Sequence, residues 1–305
     1  MSVTLVFLCS YNGEQFLVDQ LASIFAQTVP VRVIVSDDGS TDRTIEIIED
    51  FAAKGFPIEI VSGPRQGSGL NFLSIFGRAE LLNHDFLAFS DQDDVWHPNH
   101  LERAIAMIGA HQDPALYGSR TRWISEIGEF IRISPRRTKP MSFENAMLQC
   151  FAGGNTFVLN RGASEWLGQR MPALDVPRQV SHDWLIYQIM TAAGHQVAFD
   201  PEPSINYRQH SRNILGENRS LNARFARLQL LLSGRYRRQV DAHYDVLTQL
   251  SSSFLKSNLE RFGLANRLRK QWFPIRTVLW PKLKFRRDRK IETFIFYLLV
   301  VLRLY

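Results

Sequence analysis

Along the first hundred residues the apolar positions alternate between two periods. Val3–Cys9 reads as a continuous apolar run, the pattern of a strand buried on both faces. Leu17, Leu21, Ile24 and Phe25 then recur at helical spacing. Val31–Val35 is a second, β-branched run, and Ser40 or Thr41 is placed to cap a helix carrying Ile45, Ile48 and Phe51. Ile58–Val61 predicts a third strand. A glycine-rich turn, Gly63 to Gly69, leads to a helix with Leu73, Phe76 and Ala79, and Phe86–Phe89 predicts a fourth strand.

Strands and helices alternating over short connections predict an α/β fold, Rossmann-like, with a mainly parallel sheet and right-handed crossovers. Ligands of such sheets bind beyond the carboxyl ends of the strands. Three polar clusters fall there: Ser10-Tyr11-Asn12, Asp37-Asp38-Gly39-Ser40 and Ser90-Asp91-Gln92-Asp93-Asp94. After Pro98 a helix is expected through Leu101, Ala104, Ile105 and Ile108. From about Tyr117 the rhythm changes to short strand-like pieces (117–124, 156–159, 197–199, 204–207) and a helix from about His182 to Ala193. Beyond Arg219 the pattern is helical and basic.

These patterns divide the chain at about residue 219. A catalytic domain is expected over 1–219, with a nucleotide half over 1–115 and an acceptor half over 116–219, and a basic helical region over 220–305. Charge sharpens this division. The formal net charge is +6. Residues 1–207 hold 15 Lys+Arg against 24 Asp+Glu, a balance of −9. Residues 208–305 hold 21 against 6, a balance of +15. Such a tail seeks an anionic partner. Lys282 to Lys290 is its densest basic stretch, and the apolar run Phe294–Leu302 follows it. An anionic membrane surface is the partner expected; a helix docked on the catalytic domain, or a homodimer contact, is the alternative. No nucleic acid is expected, because without a metal the acidic strand-end clusters repel phosphates. The two cysteines, Cys9 and Cys150, have no metal-ligand spacing and read as reduced thiols of a cytosolic protein. The first apolar run is too short for a signal-peptide core, and no run reaches the roughly 18 residues of a spanning helix. The expected location is cytoplasmic, peripheral on the inner face of the plasma membrane.

The chemistry starts from Asp91-Gln92-Asp93-Asp94. Three carboxylates within four residues repel one another unless a cation or solvent relieves them. Magnesium or manganese takes one or two protein carboxylates and completes its shell with water and substrate phosphates. On extended chain Asp91 and Asp93 point the same way and Gln92 turns aside. The plain alternative is an acidic turn before the helix after Pro98; its place at the end of a buried strand favours a site. Asp37 and Asp38 suit ribose hydroxyls or a base N–H, while Gly39 and Ser40 suit a tight turn and a helix cap. Ser10, Tyr11, Asn12 and Glu14 fit either a nucleotide contact or a helix start. Asp183, beside His182 and Trp184, reads as a helix cap or as a general base. Arg208, His210 and Arg212 suit a departing diphosphate, and neutral His210 can also ligate a cation. Gly153-Gly154-Asn155 permits close backbone approach to a ligand and equally a β-turn.

Taken together these strings resemble the inverting family 2 glycosyltransferases of the GT-A fold. The resemblance spans about residues 3–213 and rests on SYNGE (10–14), SDDGSTD (36–42), DQDDVW (91–96), GGN (153–155), HDW (182–184) and YRQH (207–210). DQDDVW and YRQH are most similar to bacterial rhamnosyltransferase-type members that build cell-surface polysaccharides. The resemblance implies a metal-dependent transfer from a nucleotide-sugar donor to a glycan or lipid-linked glycan acceptor. It implies that Asp38 contacts base or ribose and that Asp93 is the main cation ligand. Asp91 and Asp93 form the implied DxD-type metal motif, Asp91 also supporting Asp93 or touching the sugar, and Asp94 caps or orients the turn. Asp183 is the implied base, and His210 binds diphosphate or metal. Ser10, Tyr11, Asn12, Glu14, Asp37, Gln92, Arg208 and Arg212 join the donor side, and Gly154, Asn155, His182 and Trp184 the acceptor side. The competing readings are a non-catalytic nucleotide-binding module, in which Asp183 has no task, and a nucleic-acid binder using the basic tail.

Overall fold

The computed structural model describes residues 3–78, 84–109, 113–210, 233–271 and 273–301. The chain divides into two compact units. The first comprises Met1–Arg136, Ala152–Ala173 and His195–Ile214; the second comprises Arg137–Phe151, Leu174–Gly194 and Leu215–Tyr305.

The first unit holds β1 (Thr4–Ser10), α1 (Leu17–Phe25), β2 (Val31–Asp37), α2 (Thr44–Ala53), β3 (Ile58–Ser62), α3 (Ser68–Leu73), β4 (Phe86–Ser90), β5 (Val95–Trp96), α4 (His100–Ile108), β6 (Ala115–Ile124), β7 (Phe130–Ile133), β8 (Val158–Asn160), α6 (Arg161–Gly168) and β9 (Gln196–Arg208). Its strands form one sheet in the order β3-β2-β1-β4-β8-β6-β9-β5, with β7 added on β6. From β3 to β4 all pairs are parallel, as the alternating pattern predicts. Every residue of β1 is buried, because β1 lies between β2 and β4 and is covered on both faces. Val6 and Leu8 meet Leu17, Leu21, Val33, Val35 and Leu101 in the core. Burying one such side chain contributes about 1.5–3 kcal/mol. The order β2-β1-β4 also makes the three polar strand ends neighbours.

Past β4 the sheet turns mixed. β8 runs antiparallel to β4 and to β6, β9 runs parallel to β6, and β5 runs antiparallel to β9. Four local expectations are corrected. Neither Ser40 nor Thr41 caps α2; Asp42 does this work, accepting from the Thr44 N–H at 3.0 Å, while the Ser40 hydroxyl donates to Asp37. The helix expected through Ala79 ends at Leu73 and tightens into a 3-10 turn over Ser74–Gly77; Ala79 lies outside the described residues. Thr156 belongs to a 3-10 turn over Gly154–Thr156, so the strand begins at Val158. The two pieces expected between 197 and 207 are one thirteen-residue strand, β9.

The second unit is helical over its described residues: α5 (Phe143–Ala146), α7 (His182–Ala192), α8 (Arg235–Gln249), α9 (Lys256–Lys270), α10 (Phe273–Leu279) and α11 (Lys290–Val301). The helix pattern expected from residue 220 to 232 lies outside the described residues. No described helix is long and apolar enough to cross a membrane.

Each unit encloses a neutral histidine. His100 Nδ1 lies 2.8 Å from Ser204 Oγ in the first. In the second, His243 Nε2 accepts from the Ser181 N–H at 3.1 Å, so its Nδ1 carries the proton that faces Gln188 Oε1 at 2.7 Å. Burial lowers both imidazoles to about 3. The folded state then binds fewer protons than the unfolded chain below about pH 6.5, so stability present at neutral pH is lost as pH falls. Each histidine is expected to remove about 2 kcal/mol between pH 7 and pH 5. Denaturant unfolding of His243→Gln at both values checks this. The variant should lose less on acidification than the wild-type chain, and an equal loss contradicts the assignment.

Candidate active site

The loops after β1 and β2 are laced together by short polar side chains. Asp37 accepts from the Ser10 hydroxyl at 2.8 Å, the Ser40 hydroxyl at 2.5 Å, and the N–H groups of Gly39 and Ser40. Its carboxylate is therefore held inside the protein. Asn12 sits at φ 49°, a left-handed conformation that asparagine tolerates. It donates its N–H to Ser40 Oγ at 2.9 Å and accepts from the Thr41 N–H at 2.8 Å. The Gly13 N–H reaches Thr44 Oγ1, and Glu14 accepts from the Arg43 N–H. Asp38 faces the third loop and accepts from the N–H groups of Arg65 and Gly67 at 2.6 and 2.8 Å.

The loop after β4 is tied back to the first. Gln92 accepts from the Tyr11 N–H at 2.8 Å and donates to the Tyr11 carbonyl at 3.0 Å. A Cβ on Gly13 would lie 2.3 Å from Gln92 Oε1. Gly13→Ala should therefore swing Gln92 away and release Tyr11 rather than unfold the domain. The expected result is a donor KM raised about tenfold, the order of one lost hydrogen bond, with little change in melting temperature. Steady-state kinetics beside a thermal melt checks this.

Asp91, Asp93 and Asp94 each present a carboxylate oxygen, and these lie within 4.8 Å of one another. At 4.8 Å two such charges repel by roughly 3 kcal/mol at an effective dielectric of about 20, before solvent screening lowers it. Asp94 is fully buried. It accepts from the Asn155 amide and the Arg208 N–H, and its own N–H donates to Gln20. Burial, then Asp93 and Asp91, push its carboxyl well above the usual range, against the pull of those two donors. Asp93 Oδ2 stands 2.8 Å from His210 Nε2. Arg208 is buried beneath the turn. Its guanidinium donates to the carbonyls of Asp93 and Glu126 and to Asp19, and it lies over the Phe16 ring. Arg208 thus fixes the Asp93 backbone. Asn155, expected on the acceptor side, is turned inward onto Asp94.

All three strand ends open on one cleft of about 1200 Å³. Ser10, Tyr11, Asn12, Glu14, Asp38, Asp91, Gln92, Asp93 and His210 line it, so it gathers most of the expected donor-side residues. Among the other lining residues, Arg65 and Asn71 belong to no motif of the sequence. Arg65 brings a guanidinium beside Gly39, and Asn71 pairs with Ser36 through both its amide atoms. Arg65 is the one basic residue of the glycine-rich turn, which is the signal that could have marked it. Arg212 lies outside the described residues.

Asp183, His182 and Trp184 belong to the second unit, where Asp183 occupies the first turn of α7. Its Oδ1 accepts from the Ser181 hydroxyl and from the Trp184 N–H. The Trp184 indole donates to the Ala146 carbonyl at 2.6 Å and lies against the His243 ring. Burial lowers the His182 imidazole, opposed by the neighbouring Asp183.

The family model of Glycosyl transferase family 2 matches residues 5–166, more than half of the chain and the whole run from β1 through β8. The chain belongs to this family. Within the glycosyl transferases it is 28% identical over 273 residues to the dTDP-rhamnosyl transferase RfbG of Shigella flexneri, covering 85% of this chain and 90% of that protein. Its fold is similar to S. aureus TarS 1-349 in complex with UDP-GlcNAc, with a TM-score of 0.55, 16% identity, and coverage of 99% of this chain and 82% of that one. It is also similar to the mannosyltransferase PcManGT from Pyrobaculum calidifontis in complex with GDP-Man and Mn2+, with a TM-score of 0.50, 15% identity, and coverage of 99% and 85%. The mixed α/β sheet of this glycosyl transferase is thus the GT-A fold expected from its motifs. Its acidic cluster follows β4, where the DxD-type string was read.

Proposed function

We propose that the chain is a metal-dependent, inverting glycosyltransferase that moves a sugar from a nucleoside-diphosphate donor to an acceptor hydroxyl. The observation that carries this reading is the Asp91–Asp93 cluster with His210, opening on the cleft that Asp38 also lines. Its donor set, carboxylate oxygens and one imidazole, fits manganese or magnesium. Asp93, Asp91 and His210 would hold the ion. When bound, it supplies positive charge to the departing diphosphate.

The chain's own residues do the rest. Asp38, held by two backbone N–H groups, faces the nucleoside end of the cleft. Tyr11, clamped by Gln92, offers its exposed ring to the base. Arg208 and Asn155 act beneath the site by fixing Asp93 and Asp94. Asp183 removes the acceptor proton as the acceptor oxygen attacks the anomeric carbon. The bond from that carbon to the phosphate oxygen breaks, and the nucleoside diphosphate leaves without a covalent enzyme intermediate. Asp183 is assigned by the HDW motif, and Trp184 holds its turn through its N–H and its buried indole.

The donor we favour is a dTDP-linked deoxyhexose such as rhamnose, on the similarity to RfbG. The acceptor we favour is a lipid-linked glycan in cell-surface polysaccharide synthesis. The β6–β7 hairpin supports it, with Ile127, Phe130, Ile131 and Ile133 exposed beside Glu126, whose carbonyl takes Arg208. A peripheral place on the cytoplasmic face of a membrane goes with such an acceptor. The test is the purified chain against dTDP-, UDP- and GDP-sugars with manganese or magnesium, reading nucleoside diphosphate release. Turnover of one donor that stops in excess chelator is expected. Turnover that survives chelation contradicts the metal assignment, and binding without turnover of any donor, acceptor present, leaves a nucleotide-binding module.

A further inference from the structure

We propose that the outer face of α11, with the exposed cations just before it, docks on an anionic lipid bilayer. The proposal rests on the peripheral placement given above and gives it a surface; it is independent of the transfer chemistry.

One face of α11 is already used. Phe296 and Val300 are buried, Phe296 lies near Trp280, and the Tyr297 hydroxyl donates to the Phe285 carbonyl at 3.0 Å. The opposite face should then be polar, as on a surface helix of a water-soluble protein. It is not. Ile291, Phe294, Ile295 and Leu298 are 62%, 58%, 50% and 45% exposed. Their spacing of three, four and seven residues puts them in one stripe. On α10, which packs on α11, Val278 is exposed as well.

The segment before α11 alternates with the same sense. Leu283 and Phe285 are buried, and Lys282, Lys284 and Arg286 between and beside them face solvent, followed by Arg289 and Lys290. The acids of this stretch are already engaged, Asp288 with Arg137 and Glu292 with Arg287. Five exposed cations therefore border an apolar stripe. That charge argues against a second copy of this chain as the occupant, since two regions of +15 would face each other. It suits lipid phosphates, with the stripe at the boundary of headgroups and acyl chains. Each cation near an anionic surface strengthens binding by about fivefold.

The test is flotation of the full chain with phosphatidylcholine vesicles, with and without phosphatidylglycerol. The wild-type chain should float only with the anionic vesicles, and less at high salt. Lys284→Gln/Arg286→Gln/Lys290→Gln should bind about a hundredfold more weakly, from three lost cations. Phe294→Glu/Leu298→Glu should lose flotation while keeping its circular dichroism spectrum and its donor turnover. A wild-type chain that stays with the pellet overturns both the surface and the peripheral placement. Flotation that survives the stripe substitution overturns the surface alone. A wild-type dimer that the stripe substitution splits, with no flotation, makes the occupant a second copy and also overturns the proposal.

Discussion

Replacing Asp93 by alanine is expected to lower kcat/KM by about a thousandfold, the scale of losing a charge-stabilising group at a transferring centre. The backbone of the turn should survive. The Asp93 carbonyl is held by Arg208, and Asp94 stays tied to Asn155, Gln20 and the Arg208 N–H. The substitution removes one of three crowded carboxylates and relieves repulsion in the metal-free chain. Its melting temperature without metal should therefore stay level or rise while activity collapses. That pairing separates a ligand from a structural acid. A cooperative loss of both activity and stability would make Asp93 part of the scaffold. Unchanged activity would end its role in transfer.

Asp183→Asn carries the second large effect. An asparagine can keep the local bonds of Oδ1 to the Ser181 hydroxyl and the Trp184 N–H, so the start of α7 should remain capped. It cannot take a proton at neutral pH. If Asp183 is the base, kcat should fall by about 10²–10⁴-fold with donor affinity and melting temperature unchanged. If it is only a cap, kcat should match that of the wild-type chain. Asp183→Ala would confuse the two, because losing the cap alone costs about 1 kcal/mol.

The first half of the fold was legible because parallel strands covered on both faces leave unbroken apolar runs, as in TLVFLCS of β1. The second half was legible only in part: β6 and α7 form close to where they were expected, while β8 forms over Val158–Asn160 rather than 156–159 and its three residues carry no sign of their antiparallel partners β4 and β6. β9 carries Pro201 and Pro203, which read as a break. The sheet accommodates them at register shifts around Arg120, opposite Pro203, where the ladder is already interrupted. The candidate site divides in the same way. The acidic clusters were legible because residue type and strand-end position carry the chemistry. Their supports were not, because they join residues far apart in sequence: Gln92 to Tyr11, Asn155 and Gln20 to Asp94, Arg208 to Asp19 and Glu126. Arg208 itself read as a diphosphate contact from its clustering with His210 and Arg212. Its burial instead commits the guanidinium to protein oxygens.

In the proposed function the Asp91–Asp93 cluster binds nucleoside diphosphate through a divalent cation. Calorimetric titration of dTDP into the full chain, with manganese and again with chelator, tests it most directly, with UDP and GDP titrated alongside. Binding with manganese that weakens at least tenfold in chelator is expected, with no such difference for Asp93→Ala. Equal affinity of the wild-type chain with and without the ion, for every nucleotide tried, would contradict it.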